Sequence, residues 1–126
     1  MNFVEKLIRK AKRKYFRLRV GFGFMTVVDH RHRGIGKTTI LLEHAKKNDA
    51  PVIVGNYMTK RAIEHLAGAN GVKVYVFTPF YLPNLRGLRF PNGVYIDESV
   101  TPQSLKLLRK HFKVRVNGGF QKSEEA

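Results

Sequence analysis

The sequence predicts an α/β domain: a three-layer sandwich around a mostly parallel five-stranded sheet, preceded by a basic amphipathic helix. Three observations carry this expectation. Short apolar, β-branched runs alternate with helical patterns of roughly 10–15 residues, as parallel strands joined by crossover helices require. A glycine-bearing turn ending in Gly36-Lys37-Thr38 connects the first such strand to the helix after it. The length of 126 residues suits one domain, and an apolar fraction of 43% can supply its core.

The elements follow in order. Phe3, Val4, Leu7, Ile8, Ala11, Tyr15 and Leu18 recur at spacings of three and four, so residues 2–18 predict a helix with one apolar face. Packing of that stripe on the core is the ordinary expectation, with DNA or a membrane surface as the alternative seat. Gly21-Phe22-Gly23 ends the helix. Phe24–Asp29 reads as a buried strand, Lys37–Lys47 as a helix with Ile40, Leu41, His44 and Ala45 on one side, and Pro51–Gly55 as the second strand. Thr59–Ala67 predicts a helix with Ala62, Ile63 and Leu66 inward, and Val72–Thr78 a third strand. A long loop, Pro79–Asn92, leads to a fourth strand, Gly93–Asp97. Thr101 is placed as an N-cap with Pro102 at the first helical position, ahead of Leu105, Leu107 and Leu108. Phe112–Val116 is the fifth strand. The division is therefore 1–20 for the basic helix, 21–117 for the core, and 118–126 for a polar, disordered tail.

Charge gives the first functional clue. Twenty-four Lys and Arg against nine Asp and Glu leave a net charge of +15, so a polyanion, nucleic acid or an anionic membrane face, is the expected partner. Within residues 1–20, Lys6, Arg9, Lys10, Lys12, Arg13, Lys14, Arg17 and Arg19 face Glu5 alone. Lys6, Arg9, Lys10, Arg13, Lys14 and Arg17, with Arg86 and Arg89 of the long loop, are the candidate nucleic-acid contacts, DNA being favoured. Tyr81 and Phe90 lie beside those loop arginines, a combination that can stack on single-stranded bases. The chain contains no Cys, which excludes a disulfide framework, a thiolate zinc site and a Cys nucleophile. No apolar run approaches the roughly 20 residues of a membrane span, and no signal-peptide pattern is visible. A cytoplasmic location is expected.

The most informative stretch is Val27-Val28-Asp29-His30-Arg31-His32-Arg33-Gly34-Ile35-Gly36-Lys37-Thr38-Thr39. A strand runs into a glycine turn that opens a helix, so backbone N–H groups and the helix N-terminus converge on one point and favour an anion there. Gly34 and Gly36 allow close approach of a phosphate, Lys37 can reach the β- and γ-phosphates, and the Thr38 hydroxyl can bind Mg²⁺. Arg33, Gly34, Ile35, Gly36, Lys37, Thr38 and Thr39 form the expected nucleotide cradle. The usual spacing, G-x-x-x-x-G-K-[ST], is broken because Arg31 stands at the first glycine. A second motif supports the first: Val94-Tyr95-Ile96-Asp97-Glu98 is an apolar strand ending in adjacent carboxylates. Asp97 suits Mg²⁺, and Glu98 suits the orientation and deprotonation of water.

With both motifs in this order the chain resembles a P-loop NTPase of the RecA-like, additional-strand kind, and most of all the ATPase domain of bacteriophage large terminases. Arg33-Gly34-Ile35-Gly36-Lys37-Thr38 fits that family's altered first motif, and Leu85-Arg86-Gly87 precedes the acidic strand. The resemblance covers about residues 24–117. It implies ATP hydrolysis with Mg²⁺, Lys37 and Glu98 in catalysis, Thr38 and Asp97 on the metal, and Arg33 supplying charge to the γ-phosphate in cis. It further implies a phage-encoded protein of the host cytoplasm, linked to DNA packaging or processing. Asn117 falls where such folds carry a residue that senses the γ-phosphate, but a simple turn, Asn117-Gly118-Gly119, is the favoured reading. The chain lacks the length and the acidic cluster of a nuclease domain, so a stand-alone minimal core is expected. Arg61, Arg86 or Arg89 could complete the site of a neighbouring copy in a homo-oligomer, and a partner protein could supply such an arginine instead.

Other signals are weaker. His30 and His32 lack a third ligand at useful spacing, and Gly21-Phe22-Gly23-Phe24 lacks the third glycine of a dinucleotide fingerprint. The alternative to an ATPase is a non-hydrolysing nucleotide-binding regulatory or adaptor module that docks on DNA, an anionic membrane or a partner protein. A small-molecule kinase fits less well, because no insertion has the size for an acceptor pocket and a lid.

Overall fold

A computed structural model describes residues 2–28, 36–66, 71–78 and 89–122. Helix α1 (Phe3–Gly21) leads into strand β1 (Met25–Val28), followed by α2 (Lys37–Lys47), β2 (Val52–Val54), α3 (Tyr57–Glu64), β3 (Val74–Val76), β4 (Val94–Ile96), α4 (Pro102–Lys110) and β5 (Val116–Lys122). The five strands form one sheet in the order β1-β5-β4-β2-β3, and every pairing is parallel.

Right-handed crossovers decide which face each helix covers. The chain moves one way across the sheet from β1 to β2 to β3 and the opposite way from β4 to β5, so α2 and α3 lie on one face and α4 on the other. The core divides accordingly. Ile40, Leu41, Leu42 and Ala45 of α2 and Ile63 of α3 pack with Val28, Val52, Val54 and Phe120. Leu105 and Leu108 of α4 pack with Ile53, Phe77, Val94 and Ile96 on the reverse side. Strands β2 and β4 are buried on both faces, as expected where helices cover a parallel sheet twice.

Side-chain caps set several boundaries. Thr101 accepts from the Ser104 N–H, with Pro102 at the start of α4, as the sequence predicts. Asn56 accepts from the Thr59 N–H, so α3 starts two residues earlier than Thr59. It ends at Glu64, and of its expected inward residues only Ile63 is buried, Ala62 and Leu66 being exposed. Strand β1 begins at Met25 and lies at the sheet edge, where Thr26 and Val28 are buried and Phe24 and Val27 exposed.

Two expectations are overturned. The apolar stripe of α1 does not enter the core: Phe3, Val4, Leu7, Ile8, Tyr15 and Leu18 are all at least half exposed, and the helix docks through Phe16 and Val20 instead. At about 100° per residue those two residues lie on the side opposite the stripe. The last strand is displaced as well. It spans Val116–Lys122, through the glycines assigned to a turn and into the segment assigned to a disordered tail. Phe112 and Val114 pack on the α4 side of the core before the strand begins.

The reason is steric. A Cβ on Gly119 would lie 2.2 Å from the Ile96 carbonyl oxygen, and one on Gly118 would lie 2.9 Å from that of Val20. Their φ values of +152° and +146° belong to backbone that glycine adopts freely. The register of β5 against β4 shifts at Asn117, where Val94 pairs with Val116 and Tyr95 with Gly118. This is a bulge, and the Asn117 side chain donates to the Asn92 carbonyl at 2.6 Å. Asn117 thus sits at the amino end of β5 beside a polar cavity of about 400 Å³ that Asn48, Asn92 and Arg115 also line.

Replacing Gly119 with Ala should destabilise the fold by about 2–4 kcal/mol, because a strained φ and a backbone clash combine. Chemical denaturation measures it; a midpoint equal to wild type would show that β5 does not run against Ile96.

Candidate functional site

In an open parallel sheet, ligands bind outside the carboxyl ends of the strands, where successive connections leave toward opposite faces. Here β1 leads toward α2 on one face and β4 toward α4 on the other, with β5 between them. The two motifs lie at these carboxyl ends. Residues 29–35 fall outside the described residues, so Arg33, Gly34 and Ile35, together with Arg31, His30 and His32, are not placed; Arg86 of residues 79–88 is likewise not placed.

The described part of the first motif begins at Gly36, the N-cap of α2. It holds a left-handed conformation, φ 85° and ψ 33°, and as glycine brings no capping side chain of its own. The Gly36 carbonyl accepts the first helical bond, from the Ile40 N–H at 3.0 Å. The cap position itself thus offers no side chain to the opening N–H groups of α2, and the positive end of the helix faces the strand ends. A Cβ at Gly36 would meet only Arg13 Nε within 4 Å, at 3.8 Å, among the described residues.

Lys37 is the first helical residue, and its side chain is 12% exposed. Its Nζ lies 3.4 Å from Oε1 of Glu98, which is 35% exposed. Two residues 61 positions apart in the chain thus meet as an ion pair across the interposed strand. Thr38 is half-buried and Thr39 exposed in the first turn of α2.

Asp97 is buried at 7% exposure. Its Oδ2 accepts from the Ser99 N–H at 2.9 Å and the Ser99 hydroxyl at 2.6 Å. The Ser99 Oγ in turn accepts from the Gly55 N–H at 2.8 Å, past the end of β2. A Cβ on Gly55 would lie 2.0 Å from the Ser99 carbonyl oxygen, so glycine is needed for that approach. The carboxylate is therefore fixed by a two-step chain of hydrogen bonds to the neighbouring strand, and sequence reasoning missed Ser99 because one serine after an acidic pair carries no pattern.

The other candidates separate. Asn117 is at the far end of its strand and is removed from this site; the carboxyl end of β5 carries Gln121 and Lys122, with Lys122 beside Val28. Arg13, expected on a nucleic-acid face, stands over Gly36. Arg17 pairs with Glu43 at 3.0 Å on the surface, a contact worth at most about 1 kcal/mol. Lys6, Arg9, Lys10 and Lys14 are exposed along α1, and Arg89 is exposed as well. Arg61, a candidate for completing a neighbour's site, is exposed on α3.

The residues fit a magnesium nucleotide. Mg²⁺ is commonly held by one or two protein oxygens plus phosphates and water, and a Thr38 hydroxyl with the oriented Asp97 carboxylate offers that donor set. No cluster of three or more His, Asp or Glu able to hold a metal alone occurs among the described residues. No protein-family model, curated protein or solved structure matches the chain.

Ser99→Ala should lower stability by about 1–3 kcal/mol, since it leaves the Gly55 N–H and a buried carboxylate oxygen short of a partner. Denaturation of the ligand-free protein reads this directly, and an unchanged midpoint would refute the bridging role of Ser99.

Proposed function

We propose that this chain is a small P-loop protein that binds ATP with Mg²⁺ and hydrolyses it in association with nucleic acid. The observation that carries the reading is the 3.4 Å pair between Lys37 at the start of α2 and Glu98 after β4. Chance basic and acidic tripeptides would not be expected to converge at the carboxyl ends of strands separated by one intervening strand. That intervening strand, β5, is consistent with the additional-strand resemblance.

The roles follow from the geometry. The α2 N-terminus and Lys37 offer positive charge to the β- and γ-phosphates. Thr38 and Asp97 would hold Mg²⁺, whose charge would offset that developing on the phosphates. Ser99 keeps Asp97 in one orientation. Glu98 is engaged by Lys37; a γ-phosphate competing for the Lys37 ammonium would leave Glu98 to orient and deprotonate water. Arg33 remains a candidate cis cation, and Arg13 joins it from α1. The DNA-packaging or DNA-processing role of a phage-encoded protein extends the terminase-like resemblance. More than half of the net charge lies outside residues 1–20, which leaves the body of the domain basic enough to contact nucleic acid without α1.

The Lys37–Glu98 pair also favours a second reading, a nucleotide-binding module that does not turn over unless a partner separates the two. ATP binding and hydrolysis, each measured with and without DNA, decide between them. Lys37→Ala should weaken ATP binding by about 10-fold or more, whereas Glu98→Gln should retain ATP and lose turnover by about 10²–10⁴-fold. Wild-type binding without turnover in any condition would select the module, and absence of binding would refute the nucleotide site. Affinity for duplex DNA should fall with salt at a log–log slope of about −0.9 per phosphate contact, and a flat response would remove nucleic acid as partner.

A further inference from the structure

Among the described residues the apolar stripe of α1 lies outside the core, Tyr15 alone making ring contacts, with Phe16 and Arg19 of its own helix. Phe3 and Val4 are 74% and 60% exposed, and Leu7, Ile8, Tyr15 and Leu18 lie between 50% and 54%. Single exposed apolar side chains need no explanation, but a continuous stripe along a 19-residue helix does. Phe22 extends it beyond the helix end at 75% exposure.

The stripe faces outward because the helix is anchored by its opposite side. Phe16 and Val20 enter the core, and Arg19 binds the edge strand through Thr26 Oγ1 at 2.9 Å and the Met25 carbonyl at 3.1 Å. Positions along α1 match α2 in the same direction: Arg13 lies at Gly36, Arg17 at Glu43 and Gly21 at His44. The ten residues before Arg13 therefore run past the start of α2, by about 15 Å at 1.5 Å per residue.

Cations border the stripe. At helical spacing Lys10 and Lys14 flank one edge and Lys12 the other, with Lys6 and Arg9 further round and Glu5 the only acid. This pattern selects among occupants. Nucleic acid would satisfy the cations and leave the apolar side chains in water. A second copy would bury the stripe and set two rows of lysines against each other. An anionic lipid interface accepts the apolar face below its headgroups and the lysine ammonium groups at them. No helix among the described residues is long and apolar enough to cross a membrane, so the seat lies in the plane of the surface.

We infer that α1 docks this protein on anionic membrane surfaces by inserting Phe3, Val4, Leu7, Ile8, Tyr15 and Leu18 into the headgroup boundary. The inference does not depend on the nucleotide reading, since none of these residues belongs to that site.

Vesicle flotation with the full chain tests it. Vesicles of phosphatidylcholine with about 30% phosphatidylglycerol should carry the protein, and phosphatidylcholine alone should not. Leu7→Gln with Ile8→Gln should weaken binding about 10-fold or more while the thermal melt stays unchanged, because neither side chain is in the core. Lys10→Gln with Lys14→Gln should weaken it as well, and raising salt from about 0.1 M to about 0.5 M should do the same. Equal binding by wild type and the Leu7/Ile8 variant would overturn the proposal, since charge alone would then suffice. So would no flotation with a dimer that the same variant dissolves, which would assign the stripe to a second copy. No flotation with duplex-DNA binding that depends on the α1 lysines would assign the helix to nucleic acid.

Discussion

The structure depends on one backbone contact, that of Gly119 against the Ile96 carbonyl. With no Cβ at that position β5 can lie between β1 and β4 in parallel register. Neighbouring strands are about 4.8 Å apart, so one interposed strand holds the carboxyl ends of β1 and β4 about 10 Å apart. That distance matches the chemistry the site would perform. Directly paired strands would press Lys37 against the Asp97-Glu98 pair with no room for a phosphate, whereas two intervening strands would leave the side chains unable to meet. The same placement buries Phe120, whose ring meets Phe16 of α1 at 5.4 Å. A single glycine thus ties together the spacing of the site and the anchoring of the N-terminal helix.

The Lys37–Glu98 pair has a different energetic character from the Asp97–Ser99–Gly55 chain. Lys37 is largely removed from solvent, so its ammonium depends on its polar and anionic neighbours, Glu98 among them. Under the proposed nucleotide reading, a phosphate drawn to Lys37 would compete with Glu98 for it. Asp97, by contrast, is held by short hydrogen bonds from Ser99 that involve neither motif lysine nor phosphate. One carboxylate is thus tied to the scaffold and its neighbour to an exchangeable partner, which is the division expected when one orients a metal and the other acts on water.

How much of this was legible depended on whether the signal was local. The starts of α2 and α4 were readable because a glycine before one and a Thr-Pro cap before the other act within a single turn. The acidic strand was readable from its apolar run. Strand β5 was not, because Asn117-Gly118-Gly119 has the composition of a turn, and its need for glycine arises from the carbonyls of Ile96 and Val20, far away in sequence. Ser99 was invisible for a similar reason: its importance lies in the Gly55 N–H, 44 positions earlier. Periodicity found the apolar face of α1 but could not say what it faces. Phe16 and Val20, outside the stripe, win the core because they project toward the sheet surface formed by β1 and β5.

That outcome links the helix to the site through direction. Because α1 and α2 run the same way, the unsupported part of α1 extends from the end of the domain where α2 begins, which is also the end where Lys37 and Glu98 meet. Arg13 marks the junction, four residues before Arg17 pairs with Glu43 and directly over Gly36. A surface that engages the first turns of α1 therefore acts on a rigid rod whose next side chain reaches the helix N-cap of the candidate site. The same helix is held to the core three and seven residues further on, by Phe16 and Val20.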